Sequence, residues 1–474
     1  MATLLEKYNS RLKVCESVYR NEHPGEAMPE YKKLMIARVV DNTKKFLTEN
    51  FAATAATQGP NATNGSFGDY KKFCLNLTSI ALPNLIGTDL VITQPMTSVT
   101  GFITYLQYTA GIDKGGVAAG QVFNSAFRIG DMNESRINYS GKAVVEPIET
   151  FTSGTTTLAF IHVVANVRLL DADGVQVDNA DGNSPATVDD EGVVTQTSFK
   201  AGKTAADVKK VAYTYDNEII PQQNALPTLK ANLKNLELRA KTRRIAVYYS
   251  QIAAYQAKTD YGFDLGQQIA EQAVGELRYE IDSAIVDMLA KGAELDTSLV
   301  WSKKLPVGVS KEQHYEGFLE VLEAGRAIMY KRTQKFSPNW MLTDAANIPV
   351  LSFMRAWTPS NVTIPNGPYF AGSINGIRVY VSPMLDDGKF ILGVKGNDLQ
   401  SAAGFYAPYM VCLPTQVIGL PDGTMEQGFS CMDDMGLLST YELVDGVKVD
   451  SVKTSGEGVY SYLLVGGKIT NTEE

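Results

Sequence analysis

Three histidines occur, His23, His162 and His314, far apart and with neither an HExxH pair nor a cysteine at ligand spacing. A zinc centre draws three or four nitrogen and sulfur ligands to one point, so these residues read as surface or strand histidines. His162 falls on the strand face opposite an apolar row and is expected to point to solvent. Gly202-Lys203-Thr204 resembles the end of a phosphate-binding loop. That motif needs a glycine five residues earlier, where Thr197 stands, with a strand before and a helix after. A polar loop in a β-rich segment is the better reading. Asp171, Asp173, Asp178 and Asp181 crowd two turns. A helix-flanked calcium loop would close with Glu at its twelfth position, and Gly182 is there, so turn-forming aspartates are expected. The nucleophile elbow GxSxG does not occur. No carboxylate pair can be placed across a cleft from sequence, so glycoside hydrolysis has no specific support. The residues therefore point to no catalytic centre, no metal and no cofactor.

The elements suggest another use. Lys32 to Leu47 sets Leu34, Met35, Ala37, Val39, Val40 and Phe46 among charges, predicting an amphipathic helix. Residues 51–69 are small, polar and punctuated by Gly and Pro, and read as an arm. Leu77 to Tyr108 is apolar and β-rich, with strands expected after Pro83 and Pro95. Gly111 to Gly141 reads as a long loop. Ala159, Ile161, Val163, Ala165, Val167 and Leu169 alternate, predicting a strand inside a β-rich insertion over 143–225. Leu229 to Tyr249 suggests a long strand carrying basic residues. Phe263 to Ala290 holds the strongest helix, with Ala270, Ala273, Val274, Leu277, Ile281, Ala284, Ile285 and Met288 on one face. A second amphipathic helix runs through Phe318 to Met329, and a shorter one is expected over Val350 to Trp357. Asn375-Gly376 and Asp387-Gly388 are turn signals between apolar runs. The class is α+β. An elongated subunit with an arm and a long loop can bury area on neighbours, which suits assembly.

Bulk properties agree. A chain of 474 residues predicts about three compact units. Its 43 Lys and Arg against 52 Asp and Glu leave a net charge of −9, which argues against general nucleic-acid binding but not against enclosing nucleic acid. Cys15, Cys74, Cys412 and Cys431 are scattered and read as reduced thiols. Neither a membrane-spanning run nor a signal-peptide core is read in the sequence.

Four segments, in order, carry a resemblance. They are Leu82-Pro83-Asn84-Leu85-Ile86 with Gln94-Pro95-Met96 and Thr100-Gly101; Ala240-Lys241-Thr242-Arg243-Arg244 with Tyr249-Ser250; Gly393-Val394-Lys395-Gly396 with Gly404-Phe405-Tyr406-Ala407-Pro408-Tyr409; and, earlier in the chain, Phe46-Leu47-Thr48-Glu49 with Asn61-Ala62-Thr63-Asn64. The chain thereby resembles the major capsid proteins of T-even-type contractile-tailed phages, over roughly residues 40–410. Residues 111–225 match poorly, and the tail after about 440 departs.

The resemblance implies the Hong Kong-type capsid fold. It implies a propeptide-like helical segment at 1–49, an N-terminal arm at 50–76, and a peripheral strand with the first arm of an extended loop at 77–142. The insertion follows at 143–225, the return strand at 226–262, and a spine helix with peripheral domain at 263–337. An axial domain at 338–415 and peripheral strands with the tail at 416–474 complete it. Leu47-Thr48-Glu49 fits the family's protease context, so the resemblance offers Glu49–Asn50 as a candidate cleavage site, either cut there or left unused. Lys230, Lys234, Arg239, Lys241, Arg243 and Arg244 are candidates to meet a neighbour's acidic surface, or else form a solvated strand face. Tyr406 and Tyr409 are candidates for the axial contact, or else a core aromatic pair. Partners implied are further copies in hexamers and pentamers of an icosahedral shell, a scaffold, a portal, a head protease and decoration or vertex proteins, around double-stranded DNA. The chain would be made in the host cytoplasm and reside in the virion. The competing reading is a decoration, fibre or carbohydrate-binding β protein.

Overall fold

The computed structural model describes residues 2–22, 26–55, 74–79, 81–83, 85–112, 114, 119–120, 139–148, 151, 154–178, 186–216, 226–262, 265–333, 335–360, 367–415, 417–444, 447–451 and 453–470. His23, most of the expected arm and most of the glycine-rich loop lie outside them. The fold is mixed α+β. It divides into two compact units rather than three: residues 1–103 with 235–474, and residues 104–234.

In the larger unit a five-stranded sheet runs Ile92–Thr93, Gly404–Pro414, Thr424–Leu437, Lys241–Ser250, with Ile418–Gly419 also on Thr424–Leu437. The helix Leu265–Gly292 buries Ala270, Ala273, Val274, Leu277, Ile281 and Ile285, the stripe its periodicity predicts. Each such large apolar side chain contributes roughly 1.5–3 kcal/mol on burial. A seven-stranded sheet orders Leu295–Ser302, Leu464–Thr470, Lys389–Gly393, Trp340–Thr343, Ile377–Val381, Tyr369–Ile374, Trp357–Pro359. The helix Phe318–Thr333 buries Phe318, Leu322 and Met329. Asn375 and Gly376, at φ 46° and 80°, turn the hairpin between Ile374 and Ile377. Both angles are left-handed, which Asn and Gly tolerate and most residues do not.

The N-terminal helix Glu30–Ala55 is longer than its apolar periodicity predicts. It buries Met35, Ile36, Ala37, Val39 and Val40. Its Asn42 donates to the carbonyls of Met96 (2.7 Å) and Tyr409 (3.0 Å), satisfying backbone acceptors beside the sheet. After Pro83 a short helix, Gly87–Leu90, stands where a strand was expected. The backbone N–H of Gly87 is taken by the Asp282 carboxylate rather than by a ladder. Only a short turn of helix, Ile348–Ser352, occupies the stretch expected to be helical to Trp357, which begins a strand.

Among the described residues the smaller unit contains two three-stranded sheets, Ala143–Pro147, Lys210–Tyr215, Val163–Leu170 and Thr155–Thr157, Val193–Thr195, Thr187–Val188. Phe160, Leu169, Val177, Val194, Val211, Tyr213 and Tyr215 are among the side chains of its core. The strand expected from residue 159 begins at Val163. Register shifts between Val163 and Ala165 and between Ala165 and Arg168 break the alternation. Phe160 instead stacks on Tyr215 with centroids 4.6 Å apart. His162 is partly buried at a left-handed φ of 60°, at the entrance to the strand rather than on one of its faces.

Candidate intersubunit surface

The polar residues singled out in the insertion make structure. Asp171 Oδ1 accepts the N–H groups of Asp173 (3.1 Å) and Val175 (2.8 Å), closing an aspartate turn. Its Oδ2 takes Lys203 Nζ at 2.8 Å, so the lysine of the Gly-Lys-Thr triplet is an ion-pair partner. Asp189, which sequence reading passed over, builds a second such turn through Glu191 and Val193. Among the described residues no group of three or more His, Cys, Asp or Glu converges as a metal site. The four cysteines are buried, and none of them forms a disulfide.

The basic candidates fall into both units. Lys230 and Lys234 lie exposed on the strand Leu229–Arg239, which pairs with Thr100–Ala110. In the smaller unit, Leu229, Leu233, Leu106 and Tyr108 on this ribbon are also exposed. A two-stranded ribbon has little intrinsic stability, so one with apolar side chains in water gains by being covered.

In the larger unit, Arg239, Lys241 and Arg244 are exposed, whereas Arg243 turns inward. Strand alternation gives the reason: Arg243 shares its face with Ile245, Val247 and Tyr249, which are partly buried. Its Nη1 meets Glu280 Oε1 at 2.9 Å and its Nε meets Asp433 Oδ1 at 3.4 Å. Burial alone would lower the arginine's pKa, but Asp433 and Glu280 outweigh it and hold the guanidinium charged. Lys241–Ser250 is the last strand of its sheet, so one row of its backbone groups has no strand partner among the described residues.

Tyr406 is fully buried, and burial pushes its hydroxyl well above the ordinary tyrosine value. It lies in the core of the larger unit. Tyr409 is half-buried against a small cluster that includes Met96, Leu238 and Phe405. Glu49 is exposed two residues after the buried Leu47, within the helix Glu30–Ala55, so the Glu49–Asn50 bond is helical.

Sequence reading missed a further surface. The strand Lys241–Ser250 passes into the helix Gln251–Asp260, and Tyr248, Ile252 and Tyr255 are 60%, 70% and 71% exposed there. Ile418, which flanks Glu426 opposite Tyr248, is exposed as well. Ile252 and Tyr255 at i and i+3 were the available signal, since a helix face is set by that spacing. Aromatic and aliphatic groups left in water beside a sheet edge are the composition of a contact surface.

Comparison with known proteins gives the class as a structural protein of phage heads. The family model "Major capsid protein Gp23" matches residues 68–463, and the chain belongs to that family. The outer bounds of the match enclose the 111–225 stretch and extend past residue 440. The chain is 22% identical to the major capsid protein of Escherichia phage AR1, over 87% of this chain and 84% of that one. It is similar at 22% to that of Enterobacteria phage T4 (87% and 84% covered), and at 21% to that of Vibrio phage KVP40 (74% and 73%). Among solved structures it resembles a chain of Mycobacterium phage Che8 at 12% identity, with 52% of this chain and 76% of that chain covered and a TM-score of 0.31. It also resembles the virus-like particle of Pyrococcus furiosus at 12% identity, with 43% of this chain and 74% of that chain covered and a TM-score of 0.29. The protein is a capsid shell subunit of the virion. A free-standing fibre or decoration role, the competing reading, does not fit that family.

Proposed function

We propose that the chain adopts the Hong Kong-type fold and assembles into hexamers, and at the vertices pentamers, of an icosahedral shell around double-stranded DNA. The role is structural and not enzymatic. The observation that carries the reading is the uncovered edge: the strand Lys241–Ser250 and the helix Gln251–Asp260, with Tyr248, Ile252 and Tyr255 in water. Ring assembly joins unlike surfaces of one subunit, so each copy must present patches that are unmatched when it is alone.

In this reading the domain bounds stand as given above, with the helix Leu265–Gly292 as the spine. Lys230, Lys234, Arg239, Lys241 and Arg244 meet a neighbour's acidic surface, and the excess of acidic residues supplies one. Tyr409 contributes at the margin of its sheet, while Arg243 and Tyr406 hold the subunit together. Scaffold, portal, head protease and decoration or vertex proteins are the further partners. Cleavage between Glu49 and Asn50 requires the helix Glu30–Ala55 to open locally first.

The double variant Ile252→Asp with Tyr255→Asp tests the contact surface. Both residues are exposed, so the melting temperature is expected to stay within a few degrees of the parent. Shells, counted by electron microscopy, are expected to disappear. Normal shells from a folded double variant would remove this surface from the assembly contacts.

A further inference from the structure

We propose that the open pocket beside Lys395 and Arg378 binds a phosphate-type oxyanion. The pocket has a volume of about 550 Å³ and lies wholly in the larger unit, between the N-terminal helix, the segment around Asp89 and the seven-stranded sheet. Tyr31, Asp89, Thr93, Trp340, Arg378 and Lys395 are among its lining residues.

The charges at the pocket do not cancel. The Asp89 carboxylate accepts Tyr31 Oη at 2.5 Å on one oxygen and Lys32 Nζ at 3.1 Å on the other. Lys32 directs its remaining donors to the carbonyls of Pro83 and Leu85, both at 3.4 Å. That pair is neutral and its lysine is saturated. Lys395 and Arg378 remain, and among the described residues neither forms an ion pair. Lys395 Nζ donates to the Thr88 carbonyl and lies 3.9 Å from the centre of the Tyr31 ring. With three N–H groups, it keeps a donor for a ligand. Asn339 fixes the lysine's backbone on both sides, donating to its carbonyl at 2.7 Å and accepting its N–H at 2.9 Å. Arg378 is exposed at the rim, its guanidinium carbon 5.9 Å from the centre of the Phe370 ring.

Two more groups point to the same chemistry. Trp340, 2% exposed, has an indole nitrogen with no hydrogen-bond partner, and the buried hydroxyl of Thr93 has none. An indole N–H can only donate, so its missing partner is an acceptor. A buried donor left unmatched is costly, and a pocket with two cations outside any close ion pair, Arg378 sharing only the longer-range field of Glu26 and Asp89, and with two unmatched polar groups, is completed by an acceptor-rich anion. This inference does not depend on how the copies assemble.

The test is calorimetric titration of inorganic phosphate into the purified full chain at constant ionic strength, set with chloride. The parent is expected to bind one phosphate saturably, and sulfate to compete for it. Lys395→Gln and Arg378→Gln are each expected to weaken binding about tenfold or more, the loss of one charge-assisted contact. Arg378 is exposed, so that variant keeps its fold even if Lys395→Gln does not. Absence of saturable binding in the parent would overturn the proposal, as would binding undiminished in a folded Arg378→Gln protein.

Discussion

Asp282, in the middle of the long helix, accepts the backbone N–H of Gly87 through Oδ1 at 2.8 Å. The contact ties the start of the helix Gly87–Leu90 to Leu265–Gly292, and Gly87 leaves no room there for a side chain: an added Cβ would stand 2.4 Å from Ile285 Cδ1. The carboxyl is buried without an ion pair among the described residues, and burial pushes its pKa up to about 6. The folded state therefore holds a proton more tightly than the unfolded chain. Stability contributed by this group is greatest below about pH 4 and falls as pH rises to about 6. Asp282→Asn keeps the acceptor and removes the charge. It is expected to stabilise the chain by on the order of 2–3 kcal/mol at pH 7, with the gain shrinking as pH falls from about 6 and gone below about pH 4, as read by urea unfolding across pH.

Adjacent arginines on one strand should behave oppositely. Arg243→Ala leaves the buried Asp433 without its cation, in a carboxyl that burial already pushes above its ordinary value although Arg243 pulls it down. Removing one member of such a pair costs about 3–5 kcal/mol. Arg244→Ala, exposed, is expected to change stability by no more than about 0.5 kcal/mol and to act on assembly instead. Chemical unfolding of the unassembled chains, beside shell yield, separates the two.

The indole of Trp340 packs against Gly393 of the neighbouring strand, where an added Cβ would come within 2.1 Å of the ring. Gly393→Ala is expected to destabilise by roughly 2–3 kcal/mol or more, because a packed ring has nowhere to move. A fall in melting temperature with changed tryptophan fluorescence checks it.

One carboxylate ties the start of the chain to the helix Glu30–Ala55. Asp41 accepts Lys7 (2.8 Å) and Tyr8 (2.8 Å) on one oxygen and Lys45 (3.0 Å) on the other. Burial would raise its pKa, but these hydrogen bonds outweigh it and hold the group below the usual carboxylate range. This contribution is present above about pH 4 and is lost as pH falls further. Asp41→Asn is expected to cost on the order of 2 kcal/mol at pH 7 and to speed hydrogen exchange over residues 2–22.

Much of the fold was legible where one face of an element is buried and the period is regular. The stripe from Ala270 to Ile285 and the turn at Asn375-Gly376 are such places. The strand misplaced after Pro83 shows the limit. Its backbone is satisfied by Asp282, distant in sequence, and no local pattern reports such a partner. Lys32, fully buried beside Asp89, was hidden for the same reason: a charge inside an amphipathic pattern reads as a solvent face until its counter-ion is known. Arg243 was more legible than it was read to be, because its parity with Ile245 and Val247 already placed it inward. The exposed Ile252 and Tyr255 were missed because exposure depends on what packs around a helix, which its own spacing does not specify.

The most direct measurement is electron microscopy of the full chain co-expressed with its scaffold and protease partners. Closed shells built of hexameric rings are the expected result. Homogeneous monomers or trimers from the complete partner set would contradict the account.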